Sequence, residues 1–147
     1  PKSALDGNFA TENSKANCSV SVAEMPVVKE NELLMMTIRS HDQFNTTIYG
    51  MNDRYRGIKN ERRVIFMNEQ DIKKLGLKKL DVVDLYNFHD DRERVAKRFL
   101  VIPYSIPEQC CATYFPEANV LVPIKSVSEK SNTPTSKSVV IEVRKSI

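Results

Sequence analysis

Short β-forming runs, each closed off by polar turn residues, dominate this sequence and limit most strongly what it can fold into. LLMMTIR (33–39) is a short apolar run bounded by polar residues, the pattern of a buried strand. VIFM (64–67), VVDLY (82–86), VAKRFLVIP (95–103), CCATYF (110–115) and VVIEV (139–143) read the same way, the last with Val139, Ile141 and Val143 on one face. QFNTTIY (43–49) is rich in β-formers without clean alternation and reads as strand or extended loop. PEANVLVPI (116–124) reads as a loop leading into a strand or a turn of helix. One helix is clearly signalled over 68–76. Asn68 caps it, Glu69 and Asp71 sit in the first turn where the helix dipole favours anions, Lys73 and Lys74 fall late, and Gly76 supplies a left-handed stop. Seven or so short strands with one or two short helices predict a mostly-β barrel with connecting loops.

The 147 residues fit one domain, two at most. Residues 1–32 differ from the rest. They mix Lys, Ser, Asn, Gly and Asp with scattered apolar residues, of which Val20, Val22, Val27 and Val28 are candidates for a short strand. This stretch is expected to be a linker or domain edge, with the domain proper over 33–147. The chain opens on Pro1 rather than Met, as expected of a piece processed, trimmed or cut from something longer. A net charge of +3 is too small to imply nucleic acid by itself. No apolar run approaches the roughly 18 residues of a membrane span, and no charged-then-apolar leader opens the chain.

Most catalytic patterns are missing. Three cysteines (Cys18, Cys110, Cys111) form no C-x-x-C pair, which removes a thiolate zinc site and a cysteine-ligated iron–sulfur cluster. Reduced thiols in a cytosolic setting are the plain reading. The four glycines are dispersed, so no phosphate-gripping glycine loop is present. Adjacent Cys110 and Cys111 in a strand point to opposite faces, one to core and one half-exposed, and a dyad with His41 or His89 has no support in spacing. His89, within the charged tip 89–94, reads as a solvated surface residue. The basic run Arg54, Arg56, Lys59, Arg62 and Arg63, with Tyr55 interleaved, has the composition of a single-strand or anion binder. Asp53 and Glu61 dilute it, and a solvated loop or one facing a larger partner carries at least equal weight.

Two segments are richer in hydrogen-bonding groups than a structural domain requires. Residues 37–46 (TIRSHDQFNT) follow directly on an apolar strand, and Asn119 is matched by a hydroxyl-rich tail over 131–138 (SNTPTSKS). Such loops serve as caps and turns, or supply directional bonds to a polar, anionic heterocycle. At these segments the chain resembles the C-terminal molybdopterin-dinucleotide-binding domain of the large molybdopterin oxidoreductases. The core from Thr37 to Gly57 looks closest to formate-dehydrogenase-like alpha subunits. The tail is similar to the family's closing pattern, in which an Asn-x-Leu turn (119–121) precedes a Pro-x-Ser-Lys-Ser end (134–138). The resemblance covers roughly 33–143.

It implies a double-psi β-barrel that closes over a bis(molybdopterin guanine dinucleotide) cofactor carrying molybdenum or tungsten. The redox chemistry belongs to that cofactor, and the protein supplies orientation and electrostatics. Carried over by position, Arg39 is the implied anion partner, its guanidinium fork suited to phosphate. Ser40, His41, Gln43, Phe44 and Asn45 are implied hydrogen-bonding and packing groups, Asn119 meets a pterin edge, and Ser136 with Lys137 closes the site from the tail. Gln43-Phe44 stands where many formate dehydrogenases have a His-Tyr pair, and the tail reads Thr-Ser-Lys-Ser rather than Pro-Glu-Phe-Lys. Both departures point to a formate-dehydrogenase-like branch. The metal-ligating residue and any iron–sulfur cysteines of the family lie in upstream domains, so those domains are the implied partners, the implied location is cytoplasmic, and no turnover is expected of this chain alone. Two other readings stand beside it: a standalone barrel subunit docking on a separate catalytic chain, and, more distantly, a nucleic-acid-binding barrel using the basic loop.

Overall fold

The computed structural model describes residues 5–22, 26–43 and 50–147. Its strands are β1 (Glu32–Ile38), β2 (Val64–Met67), β3 (Val82–Asn87), β4 (Arg94–Pro103), β5 (Cys110–Tyr114) and β6 (Val139–Lys145). Its helices are α1 (Glu69–Lys74) and the single turn α2 (Phe115–Ala118), with 3-10 turns at His89–Asp91 and Asn119–Leu121. The expected seventh strand falls on 43–49, of which 44–49 lie outside the described residues. PEANVLVPI resolves into helical turns. The described residues of 1–31 form no strand, so the valines there pair with nothing.

The six strands close into a barrel in the order β1-β5-β2-β4-β3-β6. β1 with β5 and β2 with β4 are parallel, and the remaining four contacts are antiparallel. Exchanging β1 with β4, β5 with β2 and β6 with β3 leaves every pairing in place. The ring therefore has the twofold pattern of the expected double-psi barrel. Closure removes all sheet edges, which would otherwise offer unpaired N–H and C=O groups to other chains.

Side-chain alternation fills the interior. Leu33 and Met35 of β1, Val83 and Leu85 of β3, and Val139, Ile141 and Val143 of β6 point into one buried apolar cluster. β2 breaks the alternation because it is covered on both sides. Ile65 and Met67 face the barrel core, while Val64 and Phe66 join Ile58, Ala112 and Tyr114 in a second cluster on the outer wall. The stretch after β1 is thus not a free loop. Its Ile58 is buried against the barrel, and Asp53 pairs with Ile58 as an isolated bridge.

α1 ends as its sequence predicts. Asn68 accepts a hydrogen bond from the Gln70 amide at 2.7 Å. At the other end the Leu77 amide reaches the Ile72 carbonyl and the Gly76 amide the Lys73 carbonyl, with Gly76 at φ +64°. That pair of bonds is a Schellman closure. Cys111 is fully buried and Cys110 half-buried, as two neighbours on one strand should be.

The strand directions decide where the loops go. The carboxyl ends of β1, β3 and β5 and the amino ends of β2, β4 and β6 lie at one end of the barrel. The segments following β1 and β5, and the one leading into β6, all emerge there.

Candidate functional site

Arg39 and Ser40 leave the carboxyl end of β1. The tail is tied to the same strand end: the Thr37 amide donates to the Ser136 carbonyl at 2.9 Å, and the Lys137 ammonium donates to the Thr37 carbonyl. Arg39 and Lys137 are both exposed, and their charges are close enough to feel one another. Partial burial, and then the Arg39 guanidinium, hold the Lys137 ammonium below the ordinary lysine range. Two cations that repel one another, with no carboxylate ion-paired to either among the described residues, form a local positive field that an anion relieves. Asn119 caps the end of α2, exposed, on the continuation of β5, whose carboxyl end lies beside that of β1.

Behind this exposed rim lies a buried network. The Arg62 guanidinium is 3% exposed. Its Nε donates to Glu117 at 2.7 Å and its Nη1 to the Ser40 hydroxyl at 2.8 Å. Longer bonds of 3.4 Å run to the Gln43 side-chain oxygen and the Gly50 carbonyl. The same group lies 4.6 Å over the Tyr114 ring. Ser40 and Gln43 are therefore buried and turned toward Arg62, while Gln43 also accepts from the Ser40 amide.

Next to it stands Asp53, 1% exposed. Its carboxylate accepts from Arg56 at 2.6 Å, from the Tyr114 hydroxyl at 2.8 Å and from the amides of Tyr55 and Arg56. Burial pushes this carboxyl up, but the hydrogen bonds from Arg56 and Tyr114 and the Arg56 charge outweigh it and leave the group below the usual carboxylate range. The reciprocal effect, with burial leading, raises the Tyr114 phenol well above its ordinary value. Arg56 also donates to the Arg39 carbonyl at 3.2 Å, so the backbone that carries the exposed cation is braced from below.

His41 is gripped on both ring nitrogens. Arg54 donates to Nε2 at 2.9 and 3.1 Å, and Nδ1 lies 2.5 Å from Asp42. An Nε2 that accepts from a guanidinium carries no proton, so the ring proton sits on Nδ1 and is donated to Asp42. Tyr55 packs edge-on at 4.0 Å between centroids. The two loops, 39–43 and 53–58, are docked through these contacts.

Of the predicted residues, then, Arg39, Asn119 and Lys137 are exposed at this end, Ser136 is half-buried beside them, His41 is largely covered, and Ser40 and Gln43 face inward. Phe44 and Asn45 lie outside the described residues. Tyr114 and Glu117 carry no signal in the sequence, and Arg56, Arg62 and Asp53, expected as part of a basic run and a residue diluting it, form instead a buried network. Asp53 and Arg56 were legible as a turn, since a carboxylate that caps its own loop ahead of a glycine is a common signature. The Gly57 φ of +68° fits it. Arg62 had no local signal, because its partners are 12 to 55 residues away in sequence. The basic run is largely spent internally: Arg54 on His41, Arg56 on Asp53, Arg62 on Glu117, and Arg63 on the Lys97 carbonyl. Among the described residues no group of three or more His, Cys, Asp or Glu side chains is placed to hold a metal ion. None of their helices is long and apolar enough to cross a membrane.

A closed six-stranded barrel with a cationic, amide-bearing rim over one end suits an anionic cofactor. Residues 33–140 match the family model described as Molydopterin dinucleotide binding domain, and the chain belongs to that family. A protein of Mycobacterium tuberculosis (strain ATCC 25618 / H37Rv) named as an uncharacterized oxidoreductase is 46% identical over 140 residues, 92% of this chain and 18% of the relative. Protein YdeP of Escherichia coli (strain K12) is 36% identical over 149 residues, 97% of this chain and 20% of the relative. The chain thus spans about a fifth of the length of the relatives it matches.

Proposed function

We propose that this chain closes one side of a bis(molybdopterin guanine dinucleotide) site, carrying molybdenum or tungsten, in a cytoplasmic oxidoreductase of the formate-dehydrogenase-like kind. When bound, the cofactor supplies the redox chemistry at its metal. This chain's residues bind and orient. Arg39 and Lys137 take the anionic groups, Asn119 offers an amide to a pterin edge, and Ser136 closes the rim from the tail. The donor set fits such a group: among the described residues the exposed Arg39 and Lys137 charges pair with no carboxylate, whereas the nearby Glu117 is already neutralised by Arg62. Residues 33–147 form the binding domain, and residues 1–32 lead to preceding segments of a longer chain, which supply the rest of the cofactor shell. The barrel on its own performs no turnover.

The observation that supports this reading is that two bonds tie the tail carrying Lys137 to the end of β1, from which the exposed Arg39 leaves, near enough for the two charges to interact. The experiment is cofactor retention in the protein as the cell makes it. Pterin is released, oxidised and quantified by fluorescence. Arg39→Ala and Lys137→Ala are each expected to lower pterin content per folded protein about ten-fold or more, the loss of a charge-assisted bond of roughly 1.5–3 kcal/mol. Unchanged content in both variants refutes the reading.

A further inference from the structure

We propose that Arg62 is a positioning residue: its buried guanidinium sets the spacing between the loop that carries Arg39 and the helical turn that carries Asn119, and cofactor capture depends on that spacing. The inference rests on the cofactor reading above and adds a residue that faces away from the rim.

The geometry is that of a bolt through two loops. On one side Arg62 holds Ser40, one residue after Arg39, at 2.8 Å, and reaches Gln43 at 3.4 Å. On the other it holds Glu117, two residues before Asn119, at 2.7 and 3.4 Å. The Tyr114 ring beneath fixes the plane of the fork. Arg62 lies two residues before β2, so the bolt is anchored near the barrel wall. A guanidinium is the side chain able to make these contacts together, since its donors diverge in one plane. Stability alone would not demand this arrangement, since a buried ion pair is often matched by well-packed apolar residues of similar volume. A structural role and a positioning role therefore predict different behaviour on replacement.

Three variants separate them, each read by thermal unfolding, by pterin retention and by amide exchange over 40–43 and 117–120. Arg62→Met combined with Glu117→Met removes both charges and keeps the volume. Arg62→Lys keeps the charge but reaches one side at a time. Glu117→Gln keeps the shape but leaves the buried Arg62 charge unpaired, so its midpoint is expected to fall as well, and Arg62→Lys is the guard against a double variant that does not fold. For the first two the expected result is an unfolding midpoint within a few degrees of the wild type, at least ten-fold lower pterin retention, and faster exchange confined to the two segments. Glu117→Gln is expected to lose retention several-fold. Wild-type retention in the Lys and double-Met variants, while Arg39→Ala still loses the cofactor, overturns the inference and leaves the cofactor reading standing. Retention that falls only in step with the unfolding midpoint overturns it too, by reducing Arg62 to a structural residue. Full retention in both Arg39→Ala and Lys137→Ala would instead remove the cofactor reading, and this inference with it.

Discussion

At the scale of single residues, the most consequential side chain is one whose type suggested nothing. Asp53 sits among arginines and reads as a charge that dilutes a basic run. In the fold it is buried and accepts from Arg56, Tyr114 and two amides. Removing its charge should strip the strength from those bonds while preserving their shape. Asp53→Asn is expected to cost about 2–4 kcal/mol, somewhat below the roughly 3–5 kcal/mol for breaking a fully buried pair because Arg56 is partly exposed, measured by urea unfolding at neutral pH. The pH dependence follows in sign. The folded carboxyl titrates below the ordinary value of 3.8. Its contribution is therefore complete above that value and is lost as pH falls from there through the folded pKa. The variant should lack this part of the acid limb, and an identical limb in both proteins would remove Asp53 as its source. The exposed rim was legible where burial was not: Arg39, Asn119 and Lys137 stand in segments too polar to be core. That Ser40 and Gln43 turn inward was illegible, because the group that turns them, Arg62, is distant in sequence and carries a charge that normally stays in water.

At the scale of elements, legibility follows the locality of the forces. α1 is specified by residues within a turn of its ends, and its cap and stop were both readable. Gly76 tests this in isolation. A Cβ built there meets nothing within 4 Å, so Gly76→Ala carries no clash and only the penalty of φ +64°. That penalty is about 1 kcal/mol, which lowers the melting midpoint by roughly 2–4 °C in a chain of this size. A neutral result would mean that the Schellman turn rearranges freely. Strands were readable as runs, yet β2 shows where pattern fails. VIFM has no alternation because both faces are buried, and only the packing of Ile58 and Phe66 on the outer wall explains why. The 3-10 turn Asn119–Leu121 was ambiguous in sequence for a similar reason. Leu121 is fully buried in the main core, so it is tertiary packing that fixes the turn and with it the exposed Asn119.

At the scale of the whole molecule, the ring is closed by pairings that span the chain, such as β1 with β6, and no local signal encodes them. Closure needs residues 32–145 and nothing before them. The described part of the preceding arm is bonded mostly to itself, through Thr11 with Lys15 and Asn13 with Asn17. Its contact with the barrel is late, where Gln109 donates to the Lys29 carbonyl at 3.2 Å and Lys29 pairs with Glu32. Leu5, Val20, Val22 and Val27 are 74–97% exposed, so the arm contributes little apolar burial. Deleting residues 1–26 should therefore leave the barrel folded. Its melting midpoint should stay within about 2 °C of the intact chain, since changes that remove no buried contact fall within roughly 0.5 kcal/mol. A drop of more than about 5 °C would mean that the arm packs on the barrel in solution. The same deletion separates stability from function. On the proposed reading, in which preceding segments of a longer chain pack against this one, the exposed valines are suited to burial there, and their replacement by serine (Val20→Ser with Val22→Ser) should loosen that docking without changing the barrel's own unfolding. Limited proteolysis of the intact protein reads this directly, as faster cleavage ahead of residue 32 and unchanged resistance over 32–145.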